Sequence, residues 1–364
     1  MTAVKIRTPD SPALAQLCET LAAMGTELDQ TGNWPARQLE LCGESGVFEW
    51  FLEPQWGGQA WDEEAIVRGY LALSGACLTT TFIITQRSGA CRRIASSDND
   101  ELKNGLLPGL ARGDTFATVG ISHLTTSRRH LAKPVLRAER TDAGFILDGY
   151  TPWVTGAAHA EHVVIGATLM DGSQPTSEQL LVALPTDLRG VSAPAPAQLV
   201  GVSASHTGEL RLKNVQVEQR WVLAGPVENV MAQGIGAGTG GHQTSTLALG
   251  LSRAAIDFIE TEAECRGELQ VPLEALRREC AEVTHELLAI VRGQPVCTTE
   301  QLRQRANSLA LRSTQASLAA AKGAGYVVGH PAGRWCREAL FFLVWSCPQP
   351  VVSANLCELA GLTD

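Results

Sequence analysis

At 364 residues, with 45% hydrophobic and 18% charged residues, the chain has the balance of a folded globular protein, large enough for two or three domains. Its net charge of −9, with no cluster of Lys and Arg, excludes the electrostatics of a nucleic-acid binder. No apolar run approaches the roughly 20 residues of a spanning helix and the first residues lack an apolar leader core, so a cytoplasmic protein with no membrane partner is expected.

From about Ser11 to Gly113, apolar residues recur at spacings of three and four in SPALAQLCETLAAM, ARQLELCGESGVF and DEEAIVRGYLALSGACL, which predicts helices. EPQWGGQAW, at 53–61, interrupts them with adjacent glycines and two tryptophans, a sharp bend that packs on a neighbour. Between Thr115 and Val222 the period shortens. TFATVGIS, KPVLRAERT, GFILDGY, HVVIGATLM, LLVALPT and GELRLKNVQV read as short strands of a small β domain. From about Glu228, helical patterns return in TLALGLSRAAIDFIETEAEC, LEALRRECAEVTHELLAIV, EQLRQRANSLALRSTQASLAAAKGAG and GRWCREALFFLVWS, four segments with apolar stripes that suit a bundle. The expected domains are 1–113, 114–225 and 226–364.

Within the β zone, GYTPWVTGA at 149–157 places Trp153 and Thr155 two residues apart. Strand alternation projects the indole and the hydroxyl from one face, a stacking plane beside a small hydrogen-bonding group, which suits a flat heterocycle such as a flavin. A strand whose Trp packs in a core is the alternative. GIGAGTGG, at 234–241, contains G-x-G-x-G-G, but no strand feeds it and no Lys-Ser/Thr follows, so it reads as a flexible helix entry rather than a phosphate loop. His159 and His162 of HAEH lack a third ligand, and the ten cysteines form no C-x-x-C pair, so neither a metal site nor a disulfide framework is expected.

The order of domains, the W-x-T strand and the C-terminal bundle resemble the acyl-CoA dehydrogenase superfamily over nearly the whole chain. The resemblance implies an α+β fold with an N-terminal helical domain, a middle β-barrel and a C-terminal four-helix bundle. The family's G-x-K-x-W-I-T-N-G/A strand is matched by Gly149, Trp153, Val154 and Thr155, with Thr151 and Gly156 at the Lys and Asn positions. FAD is implied, its ring flanked by Trp153 and Thr155, with Ser122 and the Ile121 backbone on the pyrimidine side. The family's T-E-P-x-x-G-S-D segment falls on 122–129, where His123, Leu124 and Arg128 replace Glu, Pro and Ser; Arg128 and Arg129 there are either an anion site or a solvated pair. RGELQVPL, at 266–273, is similar to R-x-x-F-G-x-P-L, which implies that Arg266 reaches the FAD pyrophosphate of a neighbouring subunit; an exposed helical arginine is the alternative. Gly323 and Gly325 match a G-x-G turn beside the adenosine, with Ala319 where Gln is usual.

HPAGRWCREA is similar to P-x-E-R-x-x-R-D-A at Pro331, Arg334, Arg337 and Ala339. Counted from Pro331, the family's catalytic Glu falls on Ser346. A hydroxyl with no adjacent base cannot remove a weakly acidic C–H proton. The alternative Glu position falls on 240–242, also without a carboxylate, which leaves His242 and Cys347 as candidates and the base unidentified. The leading reading is an FAD-dependent oxidoreductase acting on the CH–CH group of an acyl-CoA, another acyl thioester or a related carbonyl compound. A flavin-dependent monooxygenase or oxidase, or a non-catalytic binding protein on the same scaffold, are the alternatives. Flavin sites shared between subunits imply a homodimer or homotetramer.

Overall fold

The computed structural model describes residues 4–125, 134–232 and 241–362. Its N-terminal helices are α1 (Pro12–Thr31), α2 (Ala36–Glu44), α3 (Glu63–Ala76), α4 (Leu78–Ala95) and α5 (Asp100–Arg112). Their ends follow from side chains. The Ser11 hydroxyl accepts from the Ala13 amide ahead of α1, and the Asp62 carboxylate accepts from the Ala65 amide at 2.7 Å ahead of α3. In the bend at 53–61, Trp61 folds back to stack on fully buried Trp50, with ring centroids 4.3 Å apart.

An eight-stranded mixed sheet follows. It comprises β1 (Ala117–Gly120), then a short helix α6 (Ser122–Thr125), β2 (Leu136–Thr141), β3 (Gly144–Val154), β4 (His162–Asp171), β5 (Gln174–Pro185), β6 (Val191–Ser192), β7 (Gly208–Glu218) and β8 (Val222–Glu228). The strand order is β6-β7-β3-β2-β4-β5-β8, with β1 pairing in parallel to β4. One face of β2, β3, β4, β5 and β7 converges on a common core of Leu147, Ile165, Val182 and Leu212, while Val164, Leu181 and Ala183 of the other face pack under α4 and α5. The alternation of apolar residues is what divides these two cores.

The C-terminal helices are α7 (His242–Ala263), α8 (Gln270–Val291), α9 (Thr299–Gly325), α10 (Pro331–Ala339) and α11 (Gln349–Leu359). A capping box of Thr298 and Gln301 starts α9. The apolar pattern from 333 to 346 predicts one continuous helix, yet α10 ends at Ala339 and a 3₁₀ turn occupies Leu340–Leu343. Buried side chains of α9 redirect the chain there. Asn307 Nδ2 donates to the Phe342 carbonyl at 3.1 Å, and Arg303 Nη2 donates to the Trp345 carbonyl at 2.9 Å, so carbonyls of this segment are bound sideways. Ser346 then takes a left-handed φ of 46°.

Helices α3 and α7 cross closely because Gly250 has no side chain. A Cβ there would lie 2.6 Å from the Leu71 carbonyl oxygen and would also strike the Ser74 side chain. Gly250→Ala is therefore expected to destabilise the protein by about 1–2 kcal/mol, despite alanine's better helix propensity, because backbone must move. Urea unfolding checks this, and a variant as stable as wild type would show that the crossing is not tight.

Candidate functional site

One cavity of about 700 Å³ lies where the sheet meets α3, α4, α7 and the 340–346 segment. That volume suits a drug-sized or cofactor-sized ligand. Its walls bring together Ile121, Ser122, Trp153, Thr155, His242 and Ser346, residues drawn from four separate parts of the chain.

Trp153 is the most informative of them, since its indole remains 48% exposed in a strand whose neighbours Pro152 and Val154 are buried. Thr155 reaches the same cavity by a route other than strand alternation. Strand β3 stops at Val154, and Thr155 enters a turn in which Gly156 adopts a left-handed φ of 64°. The Gly156 amide donates to the Ser205 carbonyl at 3.1 Å, which fixes the turn. Thr155 Oγ1 lies 3.0 Å from Thr207 Oγ1, which in turn lies 2.8 Å from Ser205 Oγ, a buried hydroxyl chain. A group facing Thr155 meets a hydroxyl that can donate or accept.

The wall opposite the sheet is aromatic and aliphatic. Phe341 and Trp345 stack with centroids 4.9 Å apart, and Phe82 of α4 meets both edge-on at 4.8 and 4.9 Å. Val200, Leu340 and Val344 line the cavity and stay exposed, giving it an apolar rim.

The other end is polar. Glu63 at the start of α3 is the sole carboxylate among the described lining residues. Its Oε1 lies 2.7 Å from Arg92 Nη2 of α4, and its Oε2 lies 3.6 Å from His242 Nε2 at the start of α7. Contact with His242, followed by the Arg92 charge, holds this carboxyl below the usual carboxylate range against a partial burial that opposes it. The Tyr70 hydroxyl, buried beside Ser88, is pushed up to about 12 by burial and stays protonated. Sequence reasoning missed Glu63, Arg92 and Tyr70, because nothing local separates them from ordinary helix residues; only packing assembles them.

The remaining candidates lie elsewhere. Cys347 does not line the cavity, and burial raises its thiol pKa despite the charge of nearby Arg303, so a thiolate base is not prepared there. Arg266 pairs with Glu262 and donates to the Ala320 carbonyl at 2.6 Å, which places it with the Gly323 and Gly325 segment at the end of α9, outside the cavity wall. His159 bonds His206 at 2.9 Å and stacks on Trp34, while His162 faces Trp221, so the two do not converge; no cluster of metal ligands occurs among the described residues. Arg128, Arg129 and all of GIGAGTGG except Gly241 lie outside the described residues. No described helix is long and apolar enough to cross a membrane.

No protein-family model matches the chain. It is 23% identical over 274 residues to the probable acyl-CoA dehydrogenase YngJ of Bacillus subtilis (strain 168), covering 73% of this chain and 71% of that protein. It is also 23% identical over 350 residues to the mitochondrial short-chain specific acyl-CoA dehydrogenase of Bos taurus, covering 90% of this chain and 84% of that one. Among solved structures, a glutaryl-CoA dehydrogenase of Mycobacterium smegmatis in complex with FADH2 superposes with a TM-score of 0.79 at 17% identity, over 97% of this chain and 96% of that chain. The fold is therefore acyl-CoA dehydrogenase-like, with helical regions on either side of a central mixed sheet.

Proposed function

We propose that this chain, which belongs to the acyl-CoA dehydrogenase superfamily, is an FAD-dependent oxidoreductase acting on the CH–CH group of an acyl thioester. The observation that carries the reading is Trp153, a half-exposed indole in the same cavity wall as the Thr155 hydroxyl. FAD, when bound, supplies the two-electron acceptor. Trp153 gives its ring a stacking plane and Thr155 a hydrogen bond, while Ile121 and Ser122 border the same space. Phe82, Phe341 and Trp345 form an apolar wall that keeps water from the acyl group. Exposed Val271, Tyr326, Val327 and Val328 support a homodimer or homotetramer, in which Arg266, Gly323 and Gly325 of one subunit serve the phosphate and adenosine half of FAD bound to another.

The test is reconstitution of the purified protein with FAD, followed by anaerobic titration with an acyl-CoA panel and observation of the visible flavin absorption. Bound flavin bleached by an acyl-CoA is expected; a protein that takes up no FAD sinks the reading. Ser346 lines the cavity but carries no basic group. Ser346→Ala is therefore expected to slow flavin reduction by far less than the roughly 100-fold that a general base contributes. A loss of that size would make the hydroxyl part of the proton path.

A further inference from the structure

Oxidising a Cα–Cβ bond requires a group that takes the α-proton, and Ser346 cannot. The described cavity wall offers few alternatives. Its arginines, Arg92, Arg93 and Arg337, are cations without a free lone pair. Tyr70 is a protonated phenol, and Ser and Thr hydroxyls are too weakly basic to take a C–H proton themselves. Glu63 has its two oxygens turned to Arg92 and His242. His242 is the one imidazole among these residues, and a neutral imidazole has a nitrogen lone pair that can take a proton.

We propose that His242 is the proton acceptor of this site and that Glu63 is its positioning residue. The inference rests on the function proposed above. Glu63 Oε2 lies 3.6 Å from Nε2, an ion-pair contact rather than a hydrogen bond, so its charge favours a proton on that nitrogen and leaves the other, Nδ1, with its lone pair. A carboxylate that fixes one imidazole nitrogen as donor leaves the other as base, and it stabilises the cation formed when the proton arrives. Arg92, at 2.7 Å from Glu63, holds the carboxylate in place from α4. In the step itself the Cα–H bond breaks, an N–H bond forms at His242, and the electron pair stays on the acyl group as an enolate of the thioester. Return of a solvent deuteron reverses it with no net oxidation. FAD, when bound, would supply the two-electron acceptor that turns this exchange into net oxidation of the Cα–Cβ bond. Glu63 and His242 are both partly exposed, with side-chain accessibilities of 45% and 31%, which gives the captured proton an exit to water.

The two residues come together through tertiary structure alone, since Glu63 opens α3 and His242 opens α7 across the close crossing at Gly250. They are separated in sequence by most of the N-terminal helices and the entire sheet.

The experiment is α-proton exchange in D₂O, followed by NMR, with butyryl-, octanoyl- and 3-phenylpropionyl-CoA as probes, on the protein with and without FAD. Wild-type protein is expected to exchange the α-protons of at least one probe in both forms. His242→Gln should be slower by about 100-fold or more, with FAD affinity unchanged. Glu63→Gln should be slower by about tenfold through kcat rather than KM, and Glu63→Asp should recover most of the rate. Exchange by His242→Gln within threefold of wild type (~) overturns the assignment, as does wild-type protein that holds FAD yet exchanges none of the probes. Equal rates for Glu63→Gln and wild type would remove Glu63 from it. Failure of wild-type protein to bind FAD, by contrast, is failure of the proposed function and is read separately from the flavin absorption.

Discussion

Trp153→Ala is expected to weaken FAD binding by about 30-fold, equivalent to about 2 kcal/mol, while leaving the fold intact. The two halves of that expectation have separate grounds. The indole is 48% exposed and belongs to none of the three buried apolar clusters, so its removal opens no core cavity. It does remove the flat surface on the sheet side of the cavity, where a stacked ring would lose both contact area and geometry. Trp153→Phe keeps a smaller plane and should recover much of the affinity. Thr155→Val should cost less, about 1 kcal/mol, since one hydrogen bond is lost and Thr207 is left to Ser205. Fluorescence titration of the apoprotein with FAD measures all three. Equal affinities for wild type and Trp153→Ala would remove the indole from the flavin site.

The legible and illegible parts of this molecule divide by the range of the interactions involved. Trp153 could be found because its signal is short-range: an aromatic and a hydroxyl close together at the end of a β-branched segment. Even there, strand alternation does not account for Thr155, since a glycine turn rather than a strand delivers it. The segment after Ala339 departs from a helix although FFLVW satisfies helical periodicity, because periodicity contains no information about Arg303 and Asn307 of α9, which bind its carbonyls. Glu63 and Arg92 illustrate the limit more sharply. Each is an ordinary charged residue near a helix terminus, and what makes them a site is the crossing of α3, α4 and α7.

Glu338 is expected to contribute stability that is lost as pH rises from 4.5 to about 7, against the opposite trend from His123, His159 and His162, whose pKa values burial lowers. Its carboxyl is buried in α10, 3.7 Å from Arg334 Nε, and its pKa is raised from 4.5 to about 7. Burial is the main cause and Asp29 adds to it, while Arg334 and Arg337 oppose both. A group that binds its proton more tightly when folded adds stability below its unfolded pKa, and that stability is lost as pH climbs through the folded value. The contribution at stake is about 2–3 kcal/mol. It bears on the site, because α10 carries Arg337, whose backbone packs on Gly201, and both residues line the cavity. Glu338→Gln keeps the shape and removes the titration. Its urea midpoint should therefore change less than that of wild type from pH 4.5 to about 7, the window set by the two pKa values. If the variant and wild type keep the same pH dependence, the buried carboxyl is ionised throughout and Arg334 outweighs burial.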